Sequence, residues 1–197
     1  CDILLGVKEV SITSLLPNKT YLFFSHTVKK QEYNRDLLCK MIELGIRMID
    51  YELLKDDYGK RIIGFGRYAG IVGAYNAFLC YGLKKGSYSL KPAYQCEGKL
   101  DLVNQLNKLV LDNEKIVITG KGRVGEGILE IIKMANIKQV SINDFIAKNF
   151  QEPVFLHLDT MDYNVRIDSK QADKNDFYNN PSLYKSSFMD FAKYADI

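Results

Sequence analysis

The chain has 197 residues, 47% hydrophobic and 26% charged, with 13 Tyr and 10 Phe to build a core, which excludes a disordered protein. Its 27 Lys+Arg against 24 Asp+Glu leave a net charge of +3, too weak and too well mixed to point to a nucleic-acid partner. No run reaches the roughly 18 apolar residues of a membrane span, so no membrane partner is expected.

The four cysteines, Cys1, Cys39, Cys80 and Cys96, are widely spaced and form no CxxC pair. That pattern fits reduced thiols in a cytoplasmic protein better than a disulfide frame or a zinc site, and no metal is expected. The chain opens inside the strand-like run Cys1-Asp2-Ile3 without an initiator Met, and its last residues, 188 to 197, read as a helix turning into another element. It is expected to be the middle of a longer protein, incomplete at both ends.

Ile3-Leu4-Leu5-Gly6-Val7 reads as a short buried strand and Tyr21-Leu22-Phe23-Phe24 as another, separated by a segment ending in the turn signal Leu16-Pro17-Asn18. Leu37, Leu38, Met41 and Ile42 fall at helical spacing within residues 32 to 44, and Gly45 is placed to end that helix. Ile46 to Asp50 is a third strand. The polar turn Asp56-Asp57-Tyr58-Gly59 follows, and after it Arg61 to Phe65. Residues 66 to 80 read as a helix apolar nearly all round, hence buried, whose Gly70 and Gly73 suggest close approach of another backbone. Residues 82 to 98 are loop-like, and residues 99 to 111 form an amphipathic helix. A βαβ unit then begins: strand 115–119, helix 124–135, strand 138–142, with a further strand at 153–157. Alternating elements with short connections predict an α/β protein with parallel sheets. The expected layout is a first domain over 1–81 that includes the long helix, a linker over 82–98, and a second domain over 99–197.

Gly120-Lys121-Gly122-Arg123-Val124-Gly125 is G-x-G-x-x-G directly after a strand and opening a helix. The first glycine permits a tight turn, the second admits a pyrophosphate, and the third lets helix and strand pack closely. The phosphates would sit on the helix N-terminus. The competing reading is a glycine-rich structural turn. NAD sites place an acid about 20 residues on; Asp144 lies 19 residues after Gly125, though it is as readily a cap of a helix starting near Phe145. Lys138 and Ser141 are placed to serve a 2′-phosphate instead, so the choice between NAD and NADP stays open.

His26 follows the strand Tyr21-Leu22-Phe23-Phe24, at the end where α/β proteins bind ligands, and Lys8 has the same placement after Ile3 to Val7. Two neighbouring strands would thus present a Lys and a His at one sheet edge, a possible base and acid. The competing readings are a structural histidine and a solvated lysine beside Glu9. His157 ends another strand and reads as structural or supporting.

Gly6-Val7-Lys8-Glu9, Phe24-Ser25-His26-Thr27 through Lys30-Gln31, Ile49-Asp50-Tyr51-Glu52, Gly59-Lys60-Arg61, Gly64-Phe65-Gly66, Ala69-Gly70 and Gly73 occur in this order. In that order they resemble the lysine-forming saccharopine dehydrogenases and the lysine–ketoglutarate reductase domain of the bifunctional lysine-degrading enzyme. Both go with alanine dehydrogenase and the N-terminal region of transhydrogenase. The resemblance runs from Cys1 to about Phe78 and resumes through the glycine loop and the segment from Asp176 to Asp196.

The resemblance implies two Rossmann-like parallel-sheet domains joined by a long buried helix. It implies an NAD- or NADP-dependent oxidoreductase that interconverts saccharopine with lysine and 2-oxoglutarate. Lys8 would be the general base and His26 the general acid; Gln31, Arg61 and Phe65 would contact substrate. Lys60, at a position that is Arg in some members, would contact the cofactor, with Gly120, Gly122, Arg123, Val124, Gly125 and Asp144. It also implies an Arg-bearing stretch before Cys1 and more cofactor domain after Ile197. An alanine dehydrogenase-like enzyme and a non-catalytic nucleotide-binding module are the other readings.

Overall fold

The computed structural model describes every residue from Cys1 to Ile197. Its elements group into two units, Cys1–Phe65 and Gly66–Ile197.

In the first unit, β1 (Ile3–Lys8), β2 (Thr20–Phe24) and β3 (Arg47–Asp50) form a parallel sheet in the order β1-β2-β3. Helix α1 (Arg35–Glu43) connects β2 to β3. Its Leu37 and Met41 pack with Tyr21, Phe23 and Leu15 over one face of the sheet. Gly45, at φ +60°, ends the helical run as its position predicts. The opposite face carries the cross-strand row Leu5, Leu22, Ile49. Here the structure departs from the expectation of a buried first strand: Ile3, Leu5 and Val7 are all more than half exposed. The reason is that β1 is an edge strand and α1 covers only one side.

The second unit starts with α2 (Gly66–Lys85), followed by α3 (Lys99–Leu106), β4 (Lys115–Thr119), α4 (Arg123–Met134), β5 (Lys138–Gln139), α5 (Ile142–Ala147) and β6 (Val154–Leu158). A hairpin of β7 (Asn164–Arg166) and β8 (Tyr184–Ser186) brackets α6 (Lys174–Asn179), and α7 (Met189–Ala192) ends the chain. Strands β4, β6 and β5 are parallel, and β6 lies in the middle. The C-terminus adds to the free side of β4: Val117 N–H donates to Ile197 O at 2.9 Å, and Asp196 N–H to Lys115 O at 2.8 Å.

Helix α2 belongs with the second unit, not with the first as its sequence position suggested. It lies directly on α4: a Cβ added to Gly70 would collide with the Val124 carbonyl oxygen, and one added to Gly127 with that of Arg67. The two backbones therefore touch, which only glycine allows on both sides. Gly73 has open space where its Cβ would be and is not part of that contact. Nor is α2 buried all round: Ile71, Ala74, Tyr75 and Phe78 face the core with Ile116, Ile118, Ile131 and Phe155, while Tyr68, Val72 and Leu83 are exposed. The predicted linker is also partly core. Helix α2 runs on to Lys85, and Leu90 is buried in the same cluster.

Candidate active site

The first unit gathers the polar residues of its motifs at the C-terminal edge of its sheet. Parallel pairing sets Lys8 opposite Phe24, so the side chains of Lys8 and His26 meet just beyond the strand ends. Lys8 Nζ stands 3.4 Å from His26 Nε2. His26 itself adopts the left-handed conformation at φ 57° and heads a single 3-10 turn over Thr27–Lys29. That conformation is uncommon for a non-glycine residue, although histidine adopts it more readily than most. Here the ring stacks on Phe24 at 6.2 Å, and Phe65 meets Phe24 edge-on at 5.6 Å.

The other ring nitrogen, Nδ1, faces Glu52 Oε2 at 3.1 Å. Sequence reading passed over Glu52, although it stands in the quoted Ile49-Asp50-Tyr51-Glu52 block. It is a buried carboxylate that faces the His26 ring and two cations, Lys29 at 3.3 Å and Arg61 at 2.8 Å. Burial pushes its pKa up, but the hydrogen bonds from His26 and Lys29 and the charges of Lys29 and Arg61 outweigh this and hold it below the ordinary carboxylate value. An ionised carboxylate accepts only, so Nδ1 must carry the hydrogen in that bond. Lys29 Nζ also approaches Nδ1 at 3.3 Å, but an ammonium cannot donate to an N–H; its bond is the one to Glu52.

The two sequence blocks are tied at a second point. Ser25, fully buried, donates to Asp50 Oδ2 at 2.5 Å, and Asp50 Oδ1 accepts the Glu52 N–H at 2.8 Å. Asp50 thus fixes the turn that aims Glu52, and Ser25 fixes the start of the turn that aims His26. A hydroxyl and a carboxylate buried together are each satisfied by the other.

Of the remaining residues, Arg61 is joined to the cluster through Glu52. Gln31 accepts from the Tyr33 hydroxyl at 2.9 Å and lines, with Thr27, Asn34, Arg35 and Leu38, an open cavity of about 350 Å³. Phe65 supports Phe24. Lys60 lies on the exposed turn after Asp56, its N–H donating to Asp56 Oδ1 at 2.8 Å.

In the second unit, β4 ends at Thr119 and the chain turns through Gly120 at φ +86° into α4. Only glycine adopts that conformation readily. A Cβ on Gly125 would strike the Gly120 carbonyl oxygen, so the helix folds back onto its own entry loop. Gly122 caps the helix with open space where its Cβ would be, and Arg123 and Val124 are exposed in the first turn. His157 Nε2 bonds the Gly120 oxygen at 2.8 Å and Gly120 N–H donates to Leu158 O at 2.8 Å, so β6 braces the loop. A tight turn, a bare approach and a helix N-terminus are what a pyrophosphate requires, and these residues fit one.

Asp144 stands elsewhere than the spacing implied. The helix begins at Ile142, not near Phe145, and Ser141 is its cap, accepting the Asp144 N–H at 3.1 Å. Asp144 sits in that first turn, paired with Lys148 at 2.8 Å, whose hydrogen bond lowers its pKa. Because β6 lies between β4 and β5, the end of β5 is not next to the glycine loop at all. Lys138, on β5, pairs with Glu152 at 2.5 Å.

Comparison with known proteins gives no matching family model. An alpha-aminoadipic semialdehyde synthase of Arabidopsis thaliana is 30% identical over 223 aligned residues, covering 95% of this chain and 21% of that protein. The chain is homologous to these enzymes. The mitochondrial alpha-aminoadipic semialdehyde synthase of Bos taurus is 45% identical over 82 residues, 42% of this chain and 9% of that one. A saccharopine dehydrogenase of Neurospora crassa, named as NAD(+)-dependent and L-lysine-forming, is 26% identical over 152 residues, 73% of this chain and 41% of that one. These are the groups that the sequence motifs resemble. The chain spans about a fifth of the plant relative and two fifths of the fungal one.

Proposed function

We propose that this chain is part of a nicotinamide-dependent oxidoreductase that interconverts saccharopine with lysine and 2-oxoglutarate. The observation that carries this reading is the chain of contacts Lys8–His26–Glu52, with Arg61 on the same carboxylate. The plant and fungal relatives support the substrate class.

The chemistry asks for one acid and one base within reach of each other. When the ε-amine of lysine adds to the ketone of 2-oxoglutarate, the nitrogen must lose a proton and the oxygen must gain one. Loss of that oxygen as water needs a second proton. Lys8, as the free amine, accepts the first, and His26 supplies the others from Nε2. Glu52 keeps Nδ1–H in place, so only Nε2 takes part. Arg61 is the cation for a carboxylate of the dicarboxylic substrate, and a guanidinium suits that geometry. Phe24 covers one face of the imidazole and keeps water from it, and Phe65 packs on Phe24. Gly120, Gly122 and Gly125 and the first turn of α4 would hold the pyrophosphate of a nicotinamide dinucleotide, which would supply the hydride that reduces a C=N bond to the secondary amine.

The test is reductive amination by the protein, following NADH and NADPH absorbance with 2-oxoglutarate and lysine. The expected result is oxidation that needs both substrates, and a loss of ~10²-fold or more in kcat for Lys8→Met and for His26→Gln. Oxidation with pyruvate and ammonia instead would move the chain to the alanine dehydrogenase type. Unchanged turnover in either variant would remove that residue's role.

A further inference from the structure

Two side-chain turns at the C-terminal edge of the first sheet are built alike, and one hydrogen bond joins them. Ser25 Oγ accepts the Thr27 N–H at 3.2 Å, which closes a turn around His26. Asp50 Oδ1 accepts the Glu52 N–H at 2.8 Å, which closes a turn around Tyr51. Strands β2 and β3 run side by side with Phe23 opposite Asp50, so the two turns leave the sheet next to each other. Ser25 Oγ donates to Asp50 Oδ2 at 2.5 Å. Its one hydrogen is committed there, so in the 2.8 Å contact with Thr27 Oγ1 the threonine is the donor. At the far ends of the turns, His26 Nδ1 meets Glu52 Oε2 at 3.1 Å. The contacts close on themselves: Ser25 to Asp50, Asp50 to Glu52, Glu52 to His26, and His26 back along the chain to Ser25. Asn34, also buried, adds a bond from its side-chain amide to the His26 carbonyl at 3.4 Å.

We infer, on the strength of the proposed reaction, that Ser25 and Asp50 are positioning residues that act as one unit to keep the His26 hydrogen on Nδ1 and leave Nε2 for the substrate. Both are buried, Ser25 completely, and both oxygens of Asp50 are taken up by Ser25 and Glu52. They act through their neighbours. A neutral imidazole can carry its hydrogen on either nitrogen. Here the hydrogen stays on Nδ1 because the other tautomer would set a lone pair against the Glu52 carboxylate. Glu52 faces Nδ1 only while both turns keep their aim, and working geometry of this kind tolerates errors of only about 0.5 Å and 10–20°. Removing the Ser25 hydroxyl leaves Asp50 Oδ2 buried and unpaired, so the carboxylate rotates toward another donor. That rotation draws Oδ1 away from the Glu52 N–H. The Thr27 N–H loses its acceptor at the same time. One missing oxygen thus loosens the turn that aims the acid and the turn that aims its carboxylate partner.

The experiment compares wild type with Ser25→Ala, Asp50→Ala, the two together, and Asp50→Asn. Oxidation of NADH or NADPH with 2-oxoglutarate and lysine gives kcat and KM. Nitrogen-15 NMR of the imidazoles in alkaline solution, where both rings are neutral, gives the tautomers. The chain has only two histidines, and the second is an internal reference: His157 Nε2 donates to the Gly120 oxygen at 2.8 Å and so holds the opposite tautomer. Ser25→Ala should lower kcat by about 10-fold or more with KM values near those of wild type. It should move the His26 nitrogen signals toward a mixture of tautomers and leave those of His157 in place. The double variant should cost about as much as either single one, as expected of groups that act as a unit. Asp50→Asn should recover most of kcat, because its amide oxygen keeps the Glu52 N–H and its amide nitrogen donates to Ser25. His26 signals that do not move in Ser25→Ala, or single losses that add in the double variant, overturn the inference while the proposed reaction stands. A wild type that oxidises neither nucleotide with these substrates overturns the proposed reaction and the catalytic part of the inference, whereas the tautomer measurement still decides whether Ser25 and Asp50 orient His26.

Discussion

Glu52→Gln separates the electrostatic role of the buried carboxylate from its shape, because glutamine keeps the size and loses the charge. In the native protein the side chain is only 8% exposed and bonds His26, Lys29 and Arg61. A hydrogen bond to a charged group contributes about 1.5–3 kcal/mol. Lys29 and Arg61 are nearly half exposed, at 45% and 47%, so their bonds are screened and count toward the low end of surface pairs. Taking about 1.5 kcal/mol for the His26 bond and about 0.5 for each screened partner gives a loss of about 2.5 kcal/mol for the unit. Urea unfolding of the two proteins side by side measures it. Turnover should fall by about 10- to 100-fold, the usual cost of losing the group that orients a working imidazole. The pH dependence supplies an internal control. The folded-state pKa of Glu52 is depressed, so its contribution is present above the ordinary value of 4.5 and is lost as pH falls through the lower folded value. The stability difference between wild type and Glu52→Gln should therefore close as the pH drops below 4.5. A variant as stable as wild type at neutral pH, or a gap that persists in acid, would refute the argument.

Gly70→Ala and Gly127→Ala each force a methyl into the backbone of the facing helix, and should each lower stability by about 1–3 kcal/mol, read by thermal unfolding; Gly73→Ala, which meets nothing, should not. Gly125→Ala should abolish binding of NADH and NADPH, because the loop must open to clear the Gly120 oxygen; tight binding by that variant would argue against the loop as the phosphate site. Arg61→Ala should raise KM for 2-oxoglutarate more than KM for lysine, and equal changes would remove it as the carboxylate clamp.

Much of the polar site was legible because its residues fall at strand ends, and strand ends in a parallel sheet share an edge. Lys8 and His26 follow from that rule alone. Glu52 does not. It sits inside a 3-10 turn after β3, and nothing in its spacing separates it from an exposed glutamate. What marks it is its position two residues after Asp50, which caps that turn and directs Glu52 inward. Asp144 stands apart from the glycine-loop strand for a related reason. The 20-residue rule assumes that consecutive strands are neighbours in the sheet, and strand order is a property of long-range pairing that local sequence does not carry. The apolar sequence of α2 misleads in another way. Its small residues are there to let α4 approach, so low polarity reflects backbone contact at Gly70 rather than burial on every side.

The arrangement around His26 also bears on how one pair of residues can serve successive proton transfers. With Nδ1–H committed to Glu52, the imidazole is either neutral with a lone pair on Nε2 or cationic with a hydrogen there. Lys8 Nζ lies 3.4 Å from that same nitrogen. An ammonium facing a lone pair is a favourable contact, and so is an amine facing an N–H; two cations or two lone pairs are not. In the proposed reaction, one hydrogen shared between Nζ and Nε2 has two placements: on His26 it leaves Lys8 as the base, and on Lys8 it exchanges the roles. Lysine–ketoacid condensation needs that alternation, since the oxygen first gained as hydroxyl must later leave as water. A pair of unlinked residues would have to exchange protons with solvent between those steps, whereas this pair can pass one directly.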